Sequence, residues 1–243
     1  MTSVDLKEFY DSSQGLIVKR LLRQHIRRFW PDVAARRVLG IGYALPYLNA
    51  FLQEAERVAA LMPAQMGAVH WPQNTDGLTC VYGAAGLPIE TNSVDMVVAV
   101  HAFQNDEAAQ ALLSECWRVL SGQGRLLLIV PNRTGIWART DSTPFGHGAP
   151  YSMQQVRRLL KDHLFAPERA ERALFVPPSA SRLMLAAAPV WERLGQRFFN
   201  AFGGVNIIEA TKQLYAGLPV AVQQRAAAVP NKVLPVGAPY SGR

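Results

Sequence analysis

The feature that most constrains this chain is a short apolar run that breaks into glycine-spaced small residues and then continues at helical spacing. It occupies residues 38–48, which read VLGIGYALPYL. This pattern predicts a strand, a tight turn and a helix. Gly40 and Gly42 lack a Cβ, so a backbone can turn sharply or approach a ligand there. Open α/β sheets bind nucleotide-like ligands at such a turn, although a glycine turn that serves folding alone is the alternative.

The composition is that of a globular protein. The chain has 243 residues, of which 49% are hydrophobic. No apolar run reaches the length of about 18 residues that predicts a membrane span, and the N-terminus lacks the layout of a signal peptide. The cysteines, Cys80 and Cys116, give neither a disulfide framework nor a metal-ligand spacing. We therefore expect a cytoplasmic protein without a metal site.

Basic residues are concentrated near the N-terminus, and the formal net charge of the chain is +7. We predict that residues 1–36 form a basic amphipathic segment with a helix over residues 12–30, because apolar side chains recur there at helical spacing. Seven basic residues crowd the segment 19–37: Lys19, Arg20, Arg23, Arg27, Arg28, Arg36 and Arg37. They form either a solvated face or a site for nucleic acid or an acidic partner. The helix packs on the domain or closes over its ligand site.

Strand and helix patterns alternate along the rest of the chain. The predicted strands cover residues 37–41, 57–61, 79–82, 94–100, 124–130, 173–176 and 205–209. The predicted helices cover residues 45–54, 105–120, 152–163 and 179–199, the last with an apolar stripe of Met184, Leu185, Val190, Trp191 and Leu194. Because strands such as residues 94–100 are apolar on both faces, we expect an α/β fold with a mostly parallel sheet and helices on both faces. Residues 216–243 are aperiodic and predict a flexible tail.

One long segment, residues 131–151, has neither helical nor strand period. A loop of this length in a compact domain is usually functional or disordered, and its aromatic residues favour order. The segment leaves the carboxyl end of a strand, which is the ligand side of an open α/β sheet. We predict a substrate-facing loop that uses Arg133, Trp137, Arg139 and Tyr151, with the arginines suited to a carboxylate or phosphate. A structural wrap around the sheet edge is the alternative.

Two motifs in the middle of the chain carry a family resemblance. Residues 87–95 read LPIETNSVD, and residues 115–125 read ECWRVLSGQGR. They resemble the runs that lead into strands four and five of the class I S-adenosylmethionine-dependent methyltransferases. The resemblance covers about residues 36–213. It implies a Rossmann-like methyltransferase domain over residues 37–215, a seven-stranded sheet whose last strand is antiparallel, and S-adenosylmethionine as the cofactor.

The chain departs from this family at the acidic residues that bind the cofactor. Gly40, Met62 or Pro63, and Gly83 stand where the family carries acids after strands one, two and three. The resemblance implies cofactor contacts at Gly40, Gly42, Tyr43, Met62, Pro63, Gly83, Ala84 and His101. Each lost hydrogen bond to a charged group would weaken binding by roughly tenfold to a hundredfold. Backbone N–H groups, Gln65, Asn74 or a partner chain are the candidates to compensate.

Two functions remain open. The first is a methyltransferase whose unknown acceptor is a small molecule rather than nucleic acid. Its first candidate base is His101, at the end of strand four, and the second candidates are His147 and Asp141 in the long loop. The second function is a non-catalytic scaffold or regulatory subunit that works with a protein partner, which the missing acids favour. A nicotinamide-dependent oxidoreductase fits poorly, because Leu45 stands where its third small residue belongs.

Overall fold

The sheet is built around β1 (Arg37–Gly42), which the parallel strands β2 and β4 flank. The computed structural model describes residues 1–73, 76–178 and 181–214. Its other strands are β2 (Arg57–Pro63), β3 (Thr79–Tyr82), β4 (Val94–Val100), β5 (Leu120–Pro131), β6 (Phe165–Ala173) and β7 (Val205–Lys212). The strand order is β3-β2-β1-β4-β5-β7-β6, and β7 lies antiparallel to both β5 and β6. The predicted seven-stranded, mostly parallel sheet with its last strand antiparallel is confirmed.

Helices cover both faces of this sheet, and each face has its own apolar core. One core receives α1 (Ser3–Asp11), α2 (Ser13–Phe29), α3 (Leu45–Leu48) and α7 (Ala188–Phe198), the last preceded by the short α6 (Arg182–Ala186). The other core receives α4 (Asp106–Val119) and α5 (Met153–Asp162). Ser152 and Gln155 form the capping box that opens α5. None of the helices in the described residues is long and apolar enough to cross a membrane.

Three predicted elements are wrong in extent or position. The helix expected over residues 45–54 ends at Leu48, and turns follow, in which Asn49 accepts a hydrogen bond from the Trp71 indole at 3.0 Å. The sixth strand, expected over residues 173–176, is β6 instead. Its sequence, FAPERAERA, is polar because β6 is an edge strand with one side in solvent.

The third difference concerns the helix expected over residues 179–199. It is divided at Ala187 into α6 and α7, and Pro189 stands in the first turn of α7, where its missing N–H is tolerated. Of the predicted apolar stripe, Leu185 is buried, whereas Val190, Trp191 and Leu194 are exposed. The predicted tail, residues 216–243, lies outside the described residues.

Candidate functional site

The glycine turn after β1 lies where the strand order reverses, between β1 and β4. Ligands of open α/β sheets bind at this switch point. Gly42 has a φ of +77°, and a Cβ on it would lie 2.3 Å from the carbonyl oxygen of Val100 in β4. The N–H of the next residue, Tyr43, donates to the same oxygen at 2.8 Å. The glycine is therefore required by the close approach of the turn to β4.

The packing around Gly40 explains why this position near the end of β1 does not carry an acid. A Cβ at this position would lie 2.5 Å from Leu48 Cδ1 and 2.9 Å from the Cβ of Ala44. The short helix α3 packs directly on β1 at this point. Gly40 is therefore a packing position in this structure, with no room for a carboxylate.

Aromatic side chains cover the turn. The ring of Tyr10, from α1, stacks on Tyr43 with centroids 5.6 Å apart. The Tyr10 hydroxyl lies 2.8 Å from the Tyr47 hydroxyl and 2.9 Å from His101 Nε2. All three tyrosines are buried, as is every residue from 41 to 48. The N-terminal helix thus closes the space directly above the glycine turn.

This cluster consists of neutral groups. Burial raises the pKa of Tyr10 and Tyr47 above the usual tyrosine value and raises that of Tyr43 to about 12. Burial lowers the pKa of His101 to about 3. His101 also holds a φ of +52°, a conformation that histidine tolerates better than most residues. At neutral pH the imidazole is therefore uncharged and hydrogen-bonded to Tyr10.

A cavity of about 510 Å³ opens beside this cluster, between the ends of β2 and β3 and the first turns of α4. We call it the β2–β3 cavity. Three of the predicted cofactor positions, Pro63, Gly83 and Ala84, line it together. Met62 is fully buried and belongs to the core instead. The other residues that line the β2–β3 cavity include Gln65, Tyr82, Ala102, Gln104, Asn105, Glu107, Ala111 and Glu115.

A second cavity, of about 370 Å³, lies on the other side of Gln104. We call it the histidine cavity, because His101 and His147 both line it. The two cavities share Gln65, Ala102 and Gln104, and the Gln104 amide donates to the Gln65 side-chain oxygen at 3.1 Å. Met1 and Leu6 of the N-terminal segment also line the histidine cavity. The two cavities therefore meet at a pair of uncharged amides.

The residues of the long loop that were predicted to face the substrate lie in different environments. Trp137 is buried, with its indole donating to the Val176 carbonyl at 2.8 Å, and the Tyr151 hydroxyl donates to Asp106 at 2.6 Å. In this structure both side chains hold the loop rather than face a cavity. Arg133 and Arg139 are exposed.

Of the second candidate bases, His147 lines the histidine cavity and Asp141 does not. His147 Nε2 donates to the backbone carbonyl of Asp141 at 2.8 Å, which leaves Nδ1 able to accept a proton. The Asp141 side chain is exposed, and the residue is not part of the histidine cavity.

Sequence reasoning missed the residues that define the site most clearly. Tyr10 lies in α1 and Tyr47 in α3, and the way these two helices meet over the sheet has no local signal in the sequence. Gln104 follows β4 as an ordinary exposed residue. Gln65 was a predicted substitute for the missing acids and does line both cavities. Asn74, the other predicted substitute, lies outside the described residues.

Comparison with known proteins agrees with this fold. Residues 39–128 match a family model described as a methyltransferase domain. This region holds β2, β3, β4 and α4 and most of β1 and β5, and so contains the glycine turn and all of the lining residues of the β2–β3 cavity. No curated protein matches the chain by sequence.

Solved structures share the fold at low sequence identity. A SAM-dependent methyltransferase from Archaeoglobus fulgidus is similar with a TM-score of 0.56 and 17% identity, covering 80% of this chain and 94% of that one. A possible histamine N-methyltransferase from Thermotoga maritima gives a TM-score of 0.59 and 15% identity, over 86% and 94% of the two chains. A putative methyltransferase from Haloferax volcanii, solved in complex with the Trm112 methyltransferase activator, gives 0.53 and 16%, over 79% and 88%.

Proposed function

We propose that this chain is a class I S-adenosylmethionine-dependent methyltransferase, and that it methylates a small acceptor that enters the histidine cavity. The observation that carries the proposal is the junction of the two cavities at Gln65 and Gln104, beside the strand ends where this fold binds ligands. When bound, S-adenosylmethionine supplies a methyl group already activated on a sulfonium.

The β2–β3 cavity fits the nucleoside part of this cofactor. Its volume of about 510 Å³ lies within the usual range for small-molecule sites. Pro63 and Gln65 after β2, and Gly83 and Ala84 after β3, would hold the nucleoside. Gln65 and Gln104 offer amide donors and acceptors in place of the family's carboxylates. Neutral amides form weaker hydrogen bonds than carboxylates, so we expect affinity in the micromolar range or weaker.

The amino-acid part of the cofactor does not fit the conformation described. The buried rings of Tyr10, Tyr43 and Tyr47 fill the space over the glycine turn. Full binding therefore requires Tyr10 and the end of α1 to move. Since α1 contributes few core side chains, chiefly Leu6 and Tyr10, this movement leaves the sheet intact.

The two histidines have different roles in this proposal. An efficient general base has a pKa near the working pH, and the pKa of about 3 makes His101 a weak one. His101 instead positions Tyr10 through its hydrogen bond. His147, exposed at the histidine cavity, is the better candidate to accept a proton from the acceptor.

Thermal unfolding with S-adenosylhomocysteine tests the site without a known acceptor. Ligands that bind only the folded state raise the melting temperature. Ala111 of α4 lines the β2–β3 cavity, whereas its neighbour Gln110 is exposed outside it. We expect the ligand to stabilise the parent and the Gln110→Trp control, and Ala111→Trp to remove most of this effect. Equal stabilisation of all three proteins, or none of any, would contradict the assigned site.

The second candidate function is a non-catalytic subunit of the same fold, and the covered glycine turn favours it. Such a subunit would bind a protein partner and leave the methionine half of the site closed. Co-purification at fixed stoichiometry with one other protein, together with no stabilisation by S-adenosylhomocysteine, would favour this function. A monomer that the ligand stabilises would favour the enzyme.

A further inference from the structure

Helix α7 presents its apolar side to solvent. Its inward residues are Ala188, Glu192 and Gly195, which are all buried. The exposed large apolar side chains of α6, α7 and the turn that follows form what we call the outer face: Leu183, Val190, Trp191, Leu194, Phe198, Phe199 and Phe202. Surface helices normally turn this side toward the core, so a face of this size indicates an interaction surface.

Contacts on the inner side fix this orientation. Glu192 accepts a hydrogen bond from the Phe175 N–H at 2.9 Å. A Cβ at Gly195 would lie 2.2 Å from the Phe175 ring, so only glycine allows the helix to pack this closely. Rotation of α7 would break both contacts. The outward position of the apolar side is therefore a feature of the packing.

The exposed charges of α7 itself are positive. Between residues 181 and 204 the only acid is Glu192, which is buried, and the basic residues are Arg182, Arg193 and Arg197. Arg193 and Arg197 are exposed, and the Arg197 guanidinium lies 5.8 Å from the centre of the Phe198 ring. Helix α2, whose exposed residues include Arg20 and Arg23, covers the same side of the sheet.

The face continues into the long loop. Thr134 donates a hydrogen bond to the Ala201 carbonyl at 2.7 Å, which joins the loop to the turn at Phe202. Ile136, two residues later, is 55% exposed. Arg133 and Arg139 are also exposed in this part of the loop. Exposed apolar side chains and arginines thus run from α7 through the turn at Phe202 to the loop that borders the histidine cavity.

We propose that the outer face docks on an anionic phospholipid surface, with its aromatic side chains in the interfacial layer and its arginines on the lipid phosphates. Phe198 and Phe202 are 65% and 58% exposed, so both rings are accessible for insertion into a fluid layer. Trp191 adds the aromatic type that prefers this depth. A second copy of the chain suits the face less well, because each copy would present the exposed Arg193 and Arg197 to a face of the same charge.

Co-sedimentation of the full chain with vesicles tests this proposal. We expect binding to phosphatidylcholine vesicles that contain 30% phosphatidylglycerol, and at least tenfold weaker binding to pure phosphatidylcholine. Phe198→Ser with Phe202→Ser should weaken binding at least tenfold. The matched control, Leu78→Ser with Val81→Ser, removes exposed apolar side chains at the β3 edge and should bind like the parent. No binding by the parent, or equal binding by both double variants, would overturn the proposal.

The charge contribution has its own matched pair. Arg193→Gln with Arg197→Gln should weaken binding to the anionic vesicles at least fivefold. Arg157→Gln with Arg158→Gln removes two exposed arginines from α5, on the opposite side of the sheet, and should leave binding within twofold. The reverse result would overturn the assigned face. So would a dimer or a protein complex that forms without vesicles and is lost in the Phe198 and Phe202 variant.

Discussion

At the scale of single residues, the acids missing from this chain have unequal structural reasons. At Gly40 the neighbouring side chains exclude any Cβ, whereas a Cβ at Gly83 would meet nothing within 4 Å. The first replacement is therefore part of the packing of α3 on β1. The second leaves an open position at the rim of the β2–β3 cavity.

This difference predicts opposite results when the acids are restored. Gly40→Asp should lower the free energy of unfolding by about 3 kcal/mol or more, since it places a charge against Leu48 and Ala44 without a partner. Gly83→Asp should change it by less than about 1 kcal/mol and tighten S-adenosylmethionine binding by about tenfold. Urea denaturation measures the free energy of unfolding, and calorimetric titration measures the affinity for S-adenosylmethionine. A stable Gly40→Asp protein would show that the region above β1 is open.

Glu192 provides a prediction of pH dependence. Burial raises the pKa of this carboxyl to about 7, although it accepts a hydrogen bond from the Phe175 N–H and Arg28 lies near enough to lower it. A carboxyl with a raised pKa in the folded state binds protons more tightly there than in the unfolded chain. Its contribution to stability is therefore present below its ordinary pKa and is lost as the pH rises through 7.

Replacing this carboxyl by an amide should remove the pH effect. We expect Glu192→Gln to gain up to about 3 kcal/mol relative to the parent between pH 5 and pH 8, or several degrees in melting temperature. Thermal unfolding at both values measures the change. Glu90→Gln, at an exposed position, is the control and should show no such trend. A Glu192→Gln difference that is the same at both pH values would show that the carboxyl is not buried as described.

At the scale of elements, what the sequence predicted depends on how much of each element is set locally. Strand β4 and helix α5 were predicted closely, since continuous burial and a capping box are local signals. Strand β6 was misplaced because its position is fixed by pairing with β7, about 40 residues later in the chain. The apolar stripe of α7 had the right period, but period alone does not tell whether a stripe faces a core or a partner.

The local sequence of α1 likewise does not tell what this helix packs against at the site. Its sequence begins with a capping box at Thr2 and Asp5, yet nothing local indicates that Tyr10 reaches His101, 91 residues away. The family resemblance predicted the strand ends and implied the positions of the missing acids. The cover over them was found only from the three-dimensional packing. Site residues that come from a distant element are the ones that sequence reasoning misses here.

At the scale of the whole molecule, two separate apolar cores hold a sheet whose ligand edge carries two adjoining cavities and an N-terminal cover. The alternation of strands and helices was enough to predict a mostly parallel sheet covered on both faces. It was not enough to predict which half of the cofactor site is open. In the proposed site, the nucleoside half lies in the open β2–β3 cavity, and α1 covers the methionine half.

The measurement that tests this account most directly is a calorimetric titration of the full chain and Tyr10→Phe with adenosine and with S-adenosylmethionine. Tyr10→Phe keeps the buried ring but loses the hydrogen bonds to Tyr47 and His101. We predict that the parent binds both ligands, and that Tyr10→Phe binds S-adenosylmethionine about tenfold more tightly with unchanged adenosine affinity. No binding of either ligand at millimolar concentration, or an equal change for both ligands, would contradict the account.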